Sequence, residues 1–286
     1  MTVAMPGGVW AAIMAGALGA VHAGIALGYS GDVSLNAITV AGGLLLLALE
    51  RIVPEQPEWM GRNPELWQDI GHFVFGFSLG AFGGAALART VFPQPLWTIW
   101  PVTWPTIAQA ALGLVIGEFF MYWQHRAVHT IPALWPLHVL HHGTARMRFL
   151  KTTRIHAIDI GSSTFLSLAP LLAIGAPLPV VLWVTAFGNF AAQTQHANVR
   201  LRTPRWLNAI VGTPAVHWLH HSLDKREGNS NFGMNVMLWD HLFGTYLAPG
   251  PEPRRTLGVD PDPVPPTFVG QLLLPLDPIR QFWRRR

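Results

Sequence analysis

Apolar residues run through this chain in long blocks, not in the short alternations of a soluble domain. A helix needs about 20 apolar residues to cross a bilayer. Val9 to Tyr29 meets that length, interrupted by His22. Leu35 to Val53 is shorter and closes on Glu50 and Arg51. Asp69 to Phe92 qualifies, with Asp69 and Arg89 at its ends, and Ile107 to Trp123 is apolar except for Glu118. A longer stretch, Ile158 to Ala192, is broken at Gly175-Ala176-Pro177-Leu178-Pro179. Proline cannot continue a helix there, so the stretch predicts a hairpin of two helices. Together the blocks predict an all-α fold: an integral membrane helical bundle of about four to six membrane helices.

Composition agrees. Half of the 286 residues are hydrophobic and 12% are charged, against about 25% charged in a typical soluble domain. The chain holds 13 Trp and 0 Cys. Without cysteine there is no disulfide, no iron–sulfur cluster and no thiolate metal site, so any metal is held by nitrogen or oxygen. Met1 to Gly8 carries no Lys or Arg, so the first apolar block reads as a retained membrane helix, not as a cleaved signal.

Charge gives the bundle a direction. By these spans, 18 of the 19 Lys and Arg fall on the side that also carries the histidine clusters, and Arg89 alone falls on the other. The positive-inside rule then predicts a cytoplasmic, histidine-rich helical cap. The net charge of +4 flanks apolar segments, which suits a membrane surface and not nucleic acid. Pro249 to Pro266 reads as an extended strap, and Gln271 to Arg286 as an interfacial amphipathic helix with Arg284, Arg285 and Arg286 at anionic headgroups.

The chemistry lies in histidine. His138-Val139-Leu140-His141-His142 and His217-Trp218-Leu219-His220-His221 repeat one pattern, H-x-x-H-H. On a helix those spacings share a face, so each box predicts three imidazoles aimed at one spot. His125 and His129 add an i, i+4 pair upstream. Five imidazoles between His125 and His142 repel if protonated and are costly to bury unpaired. A bound cation removes both problems. The zincin pattern H-E-x-x-H is absent, since Arg126 follows His125, and a closed zinc site takes four ligands. Two irons held mostly by histidine make the simplest use of this many donors. His22, His72 and His241 stand apart and are read as structural.

The order H-x-x-x-H, H-x-x-H-H, a later His-x-Asn and a second H-x-x-H-H resembles the fatty acid hydroxylase, or sterol desaturase, superfamily of integral membrane non-haem di-iron oxygenases. Tyr122-Trp123-Gln124-His125-Arg126, Gln195-His196-Ala197-Asn198-Val199-Arg200, Asn231-Phe232-Gly233 and Trp239-Asp240-His241-Leu242-Phe243-Gly244-Thr245 match its landmarks. The resemblance covers about residues 65 to 248. It leaves 1–64 as N-terminal membrane helices and 249–286 as the strap and interfacial helix. Carried over by position, it implies His125, His129, His138, His141, His142, His196, His217, His220 and His221 as metal ligands. His156 matches a segment where the family commonly has His-Pro. Ala157 replaces that proline, so His156 is either a tenth ligand or a residue at the substrate gate.

Glu118, Tyr122, His125 and His129 share one face of the fourth helix. Glu118 is therefore a candidate to accept the second ring N–H of a ligand histidine. Asn198, Asp224 and Asp240 are candidates for the same task, with an arginine partner as the alternative for Asp240.

The resemblance implies an enzyme that uses O2 and two irons to oxidise an unactivated C–H bond of a lipid. The product is an alcohol or, with loss of a second hydrogen, an alkene. It also implies electrons from a separate donor protein, a substrate entering from the bilayer, and a bacterial inner membrane or, alternatively, an endoplasmic reticulum location. The rival class is a membrane metal-binding or metal-transport protein. Transporters place ionisable residues midway along a path through the membrane, whereas these histidines follow the spans on one side.

Overall fold

The computed structural model describes residues 8–250, 256–260 and 263–276. Eight helices set the frame: α1 (Val9–Ala26), α2 (Gly31–Ile52), α3 (Leu66–Val91), α4 (Thr106–Thr130), α5 (Trp135–His142), α6 (Ala157–Ala173), α7 (Leu178–His196) and α8 (Pro214–His220). Among the described residues no β-strand forms; isolated bridges such as Pro54 with Val199 are the only β pairing. Four helices, α1 to α4, are long and apolar enough to cross a membrane, and α6 is apolar but shorter. The protein is an all-helical membrane bundle with its histidines gathered into clusters.

Small residues let the spanning helices meet at their backbones. On α3, a Cβ added to Gly80 would stand 2.5 Å from the Ala157 carbonyl oxygen, and one added to Gly84 would strike the Gly161 carbonyl of α6. On α4, Gly113 faces Val184 of α7 and Gly117 faces Ser167 of α6. This is how helices associate where lipid supplies no hydrophobic drive and contact area must replace it. The α1–α2 hairpin packs on α7 through a core that includes Trp10, Met14, Leu35, Leu46, Leu182 and Phe190. The Trp10 indole N–H donates to Thr194 Oγ1 at 2.9 Å near the end of α7.

Several boundaries differ from the sequence reading, each for a visible reason. The predicted Ile107 to Trp123 span runs on to Thr130, so His125 and His129 complete the same helix as Glu118. The second span starts at Gly31, where the Ser30 hydroxyl accepts from the Val33 N–H as an N-cap. Asp69 is no span end: it lies inside α3, fully buried, and accepts from Lys151 Nζ at 2.8 Å. Glu50 interrupts its apolar block because its carboxylate accepts from the Phe149 and Asn198 N–H groups, tying α2 to the cap. Of the predicted strap, Thr256 to Gly258 is pinned to the second histidine box by Leu223 N–H to Thr256 O and Gly258 N–H to His221 O. A short helix at Phe268–Leu272 overlaps the start of the predicted interfacial segment, and its Gln271 is buried against His72, not at a headgroup. Residues 277–286, including Arg284 to Arg286, lie outside the described residues.

Candidate metal centre

Three helix ends deliver most of the imidazoles. The last turns of α4 carry His125 and His129. Short α5 carries His138, His141 and His142. Short α8 carries His217 and His220, with His221 at its C-cap. Proline in the first turn of α5 (Pro136) and of α8 (Pro214) suits helices that must start abruptly. Thr213 caps α8 through its hydroxyl. The last residue of α7 supplies His196.

The rings do not converge on one spot. Their donor nitrogens form two sets: His125, His129, His138, His142 and His220 in one, and His141, His196, His217 and His221 in the other. Each H-x-x-H-H box is thus split, and in opposite senses. From the first box His138 and His142 join the five-ring set and His141 the four-ring set; from the second, His217 and His221 join the four-ring set and His220 the five-ring set. Helical geometry explains the split. At about 100° per residue, positions i and i+4 differ by about 40°, whereas i+3 lies about 60° to the other side. The sets abut, with His142 stacked on His221 at 4.3 Å between centroids.

Within each set the Nε2 atoms face one another. His125–His138, His138–His142 and His125–His220 stand at 3.1 Å, as do His141–His196 and His196–His217, and His217–His221 is at 3.0 Å. On the outer side, Nδ1 of His125, His196 and His220 meets the carbonyls of Phe232, Ala192 and Ser230 at 2.7–2.8 Å. Nδ1 of His141 lies 3.4 Å from the Arg154 carbonyl, and that of His138 lies 2.7 Å from Asp159 Oδ2. A carbonyl can only accept, so these rings hold their proton on Nδ1 and turn an Nε2 lone pair inward. Burial first, and then the crowding of neighbouring imidazoles, hold His141, His142, His217, His220 and His221 well below the usual imidazole range. Facing lone pairs repel unless a cation lies between them. His129 Nε2 is also buried without a hydrogen-bond partner. The donor sets therefore fit metal ions, one per set.

One loop aims two of the rings. Asn231 adopts a left-handed backbone (φ 55°), which asparagine tolerates. The Ser230 and Phe232 carbonyls on either side then reach His220 and His125. The Asn231 side chain locks the turn to Leu247 through both its atoms.

None of the predicted supporting carboxylates or amides touches a ligand ring. Glu118 instead accepts from the Met234 and Asn235 N–H groups. Asp240 accepts from the Phe232 and Gly233 N–H groups and from Thr245 Oγ1, with no arginine partner among the described residues. Both carboxylates thus brace the loop whose carbonyls aim the rings, one step removed from the role expected. Asn198 is bound to the backbone of Gln56, and Asp224 caps the single helical turn Lys225–Gly228.

His156 belongs to neither donor set. Its Nδ1 accepts from the Ile158 N–H as the N-cap of α6, and its Nε2 meets the Leu272 carbonyl at 3.2 Å. With both nitrogens engaged it is not a tenth ligand in this arrangement. His22, His72 and His241 also stand outside the sets: His22 packs edge-on to Trp183, His72 bonds Gln271, and His241 bonds the Ala209 carbonyl. Asp159 was not singled out from the sequence. Its only signal was a carboxylate three residues after His156, in the first turn of an apolar helix.

An all-helical membrane bundle carrying two adjoining nests of buried imidazoles defines a membrane protein equipped for metal-dependent chemistry at one end. A sequence profile described as fatty acid hydroxylase matches residues 110–245. The ornithine lipid hydroxylase OlsE of Rhizobium tropici is 36% identical over 93% of this chain and 82% of its own length. The fatty acid hydroxylase vlmA of Lecanicillium sp is 31% identical over 46% of this chain and 40% of its own length. The alkylglycerol monooxygenase of Caenorhabditis elegans is 28% identical over 58% of this chain and 33% of its own length. No solved structure matches the chain. The chain belongs to the fatty acid hydroxylase family, and it is an O2-dependent oxidoreductase of lipids.

Proposed function

We propose that this protein is a di-iron lipid hydroxylase whose substrate is a membrane lipid with an amino-acid head group. The observation that carries the reading is the division of nine imidazoles, eight buried and His129 half-buried, into adjoining sets of five and four, with inward Nε2 atoms. All-nitrogen donors suit iron, and the many ligands suit two ions better than one. Two irons bound there supply the activation of O2 that oxidises a C–H bond. Everything else falls to the chain. The nine histidines hold the ions, and the loop braced by Glu118 and Asp240 orients His125 and His220. The Phe232 ring, 5.3 Å from that of His129, keeps water from one flank of the five-ring set.

The lipid class rests on likeness to the ornithine lipid hydroxylase over most of both chains. A cavity of about 370 Å³ beside His129 and His142, lined also by Trp135, Asp224, Lys225 and Asp260, offers both signs of charge to such a head group. Hydroxylation is favoured over desaturation because the relatives are named hydroxylases and monooxygenases. Electrons come from a separate donor protein. Residues 65–248 form the catalytic region, and α1 and α2 anchor it. The gathering of Lys and Arg on the histidine side supports a cap in the cytoplasm, and likeness to a Rhizobium protein over most of both chains supports a bacterial inner membrane.

The test is expression in a host that makes ornithine lipid, with lipid mass spectrometry and metal analysis of the purified chain. The expected result is a lipid gaining one oxygen, made by protein with two irons per chain. Protein that binds zinc reversibly, and leaves every lipid unchanged when loaded with iron and given O2 and reductant, would overturn the proposal.

A further inference from the structure

His138 differs from the other eight imidazoles. Among the described residues it is the one ring of the nine whose Nδ1 meets a carboxylate, Asp159 Oδ2 at 2.7 Å. In the four-ring set the outer partners found are backbone carbonyls, those of Arg154 and Ala192. Asp159 is 1% exposed. Its other oxygen accepts from Gln124 Nε2 at 2.7 Å, and Gln124 Oε1 in turn accepts from Ser163 Oγ at 2.9 Å. The carboxylate sits in the first turn of α6, where the helix dipole favours negative charge. Among the described residues no Lys or Arg pairs with it.

A buried carboxylate facing a neutral ring is costly. The cost falls if that ring carries a cation on its far nitrogen, because the carboxylate then partners a positive charge relayed through the imidazole. The same contact fixes the tautomer of His138 and makes its Nε2 a stronger donor than a carbonyl contact does. We propose that Asp159 is a positioning residue that makes the five-imidazole set the tighter of the two metal sites, leaving the four-imidazole set to release its ion first. This rests on the reading of the two sets as metal sites.

The test uses the full chain in detergent, loaded anaerobically with ferrous iron and titrated with a chelator, with iron per chain and Mössbauer spectra as readouts. Wild type is expected to lose iron in two phases. In Asp159→Asn, which keeps size and an acceptor oxygen, the later phase should move to a chelator concentration roughly 10-fold to 100-fold lower. The earlier phase should stay in place, and one of two spectral components should change. Asp159→Ala should do the same or more, and if it fails to fold the Asn variant decides alone. A release curve for Asp159→Asn that overlays wild type, or both phases shifting alike, overturns the inference and leaves the function standing. Wild type that takes up no iron overturns the metal reading itself.

Discussion

The bilayer half of the molecule and its cap are held together by opposite means. In the bilayer half, α3 and α6 touch where Gly80 and Gly84 meet the Ala157 and Gly161 carbonyls, with the Ile160 and Thr164 side chains packed against the same glycines. In the cap, buried polar groups make the contacts. Lys151, 2% exposed, pairs with Glu65 at 2.7 Å and Asp69 at 2.8 Å, and Arg154, 1% exposed, pairs with Glu65 at 2.6 Å. The Arg154 carbonyl stands behind His141, so this ion cluster and the candidate metal centre share a backbone segment. Lysine and arginine beside it hold the Glu65 carboxyl below its usual range, even though burial acts the other way. The lesson is that the membrane helices are fixed by shape and the cap by satisfied charge and hydrogen bonds. The first tolerates little added volume, and the second tolerates no missing partner.

That contrast can be broken in graded ways. The largest effect is expected from His220→Ala or His141→Ala, each of which removes a donor from one set. Hydroxylation should fall by more than about 100-fold, beyond the effect of losing an outer partner, and the iron of the set that loses its donor should be lost. Lipid mass spectrometry and metal analysis check this, and full activity in either variant would refute the ligand assignment.

Asp240→Ala comes next. It strips the acceptor from the Phe232 and Gly233 N–H groups. A stability loss of about 1–3 kcal/mol is expected. Turnover should fall about 10-fold or more through the displaced Phe232 carbonyl behind His125. Unfolding curves and turnover with the same preparation separate the two.

Gly84→Leu should sharpen the comparison from the other side. It forces α3 from α6 and costs about 1–3 kcal/mol, read as a lower melting temperature in detergent, while iron per folded chain stays at the wild-type level. Loss of iron without loss of stability would show that the two halves are not separate in kind. The smallest effect belongs to His22→Ala, on an exposed position of α1, with a change within about 0.5 kcal/mol and unaltered iron.

Much of this was readable in the chain before any fold was known. The apolar blocks located the spanning helices, because the bilayer sets a length that composition must meet. The H-x-x-H-H repeats marked the histidines of the candidate metal centre, because no packing need is met by so many clustered imidazoles. Boundaries were less legible: Trp123 looks like the end of a span, yet α4 continues to Thr130, and its last turns carry His125 and His129.

The sequence by itself determined the class of fold and marked the histidines that the fold gathers into two sets. Only the tertiary structure decided how each box divides between two sets, why His156 caps a helix outside both, and that Asp159 backs a ligand while Glu118 and Asp240 brace a loop. The physical reason is one of range. Helical spacing fixes the angles between side chains on one helix. Which ring meets which depends on how α4, α5, α7 and α8 cross, and that is set by packing between residues as far apart as His125 and His220.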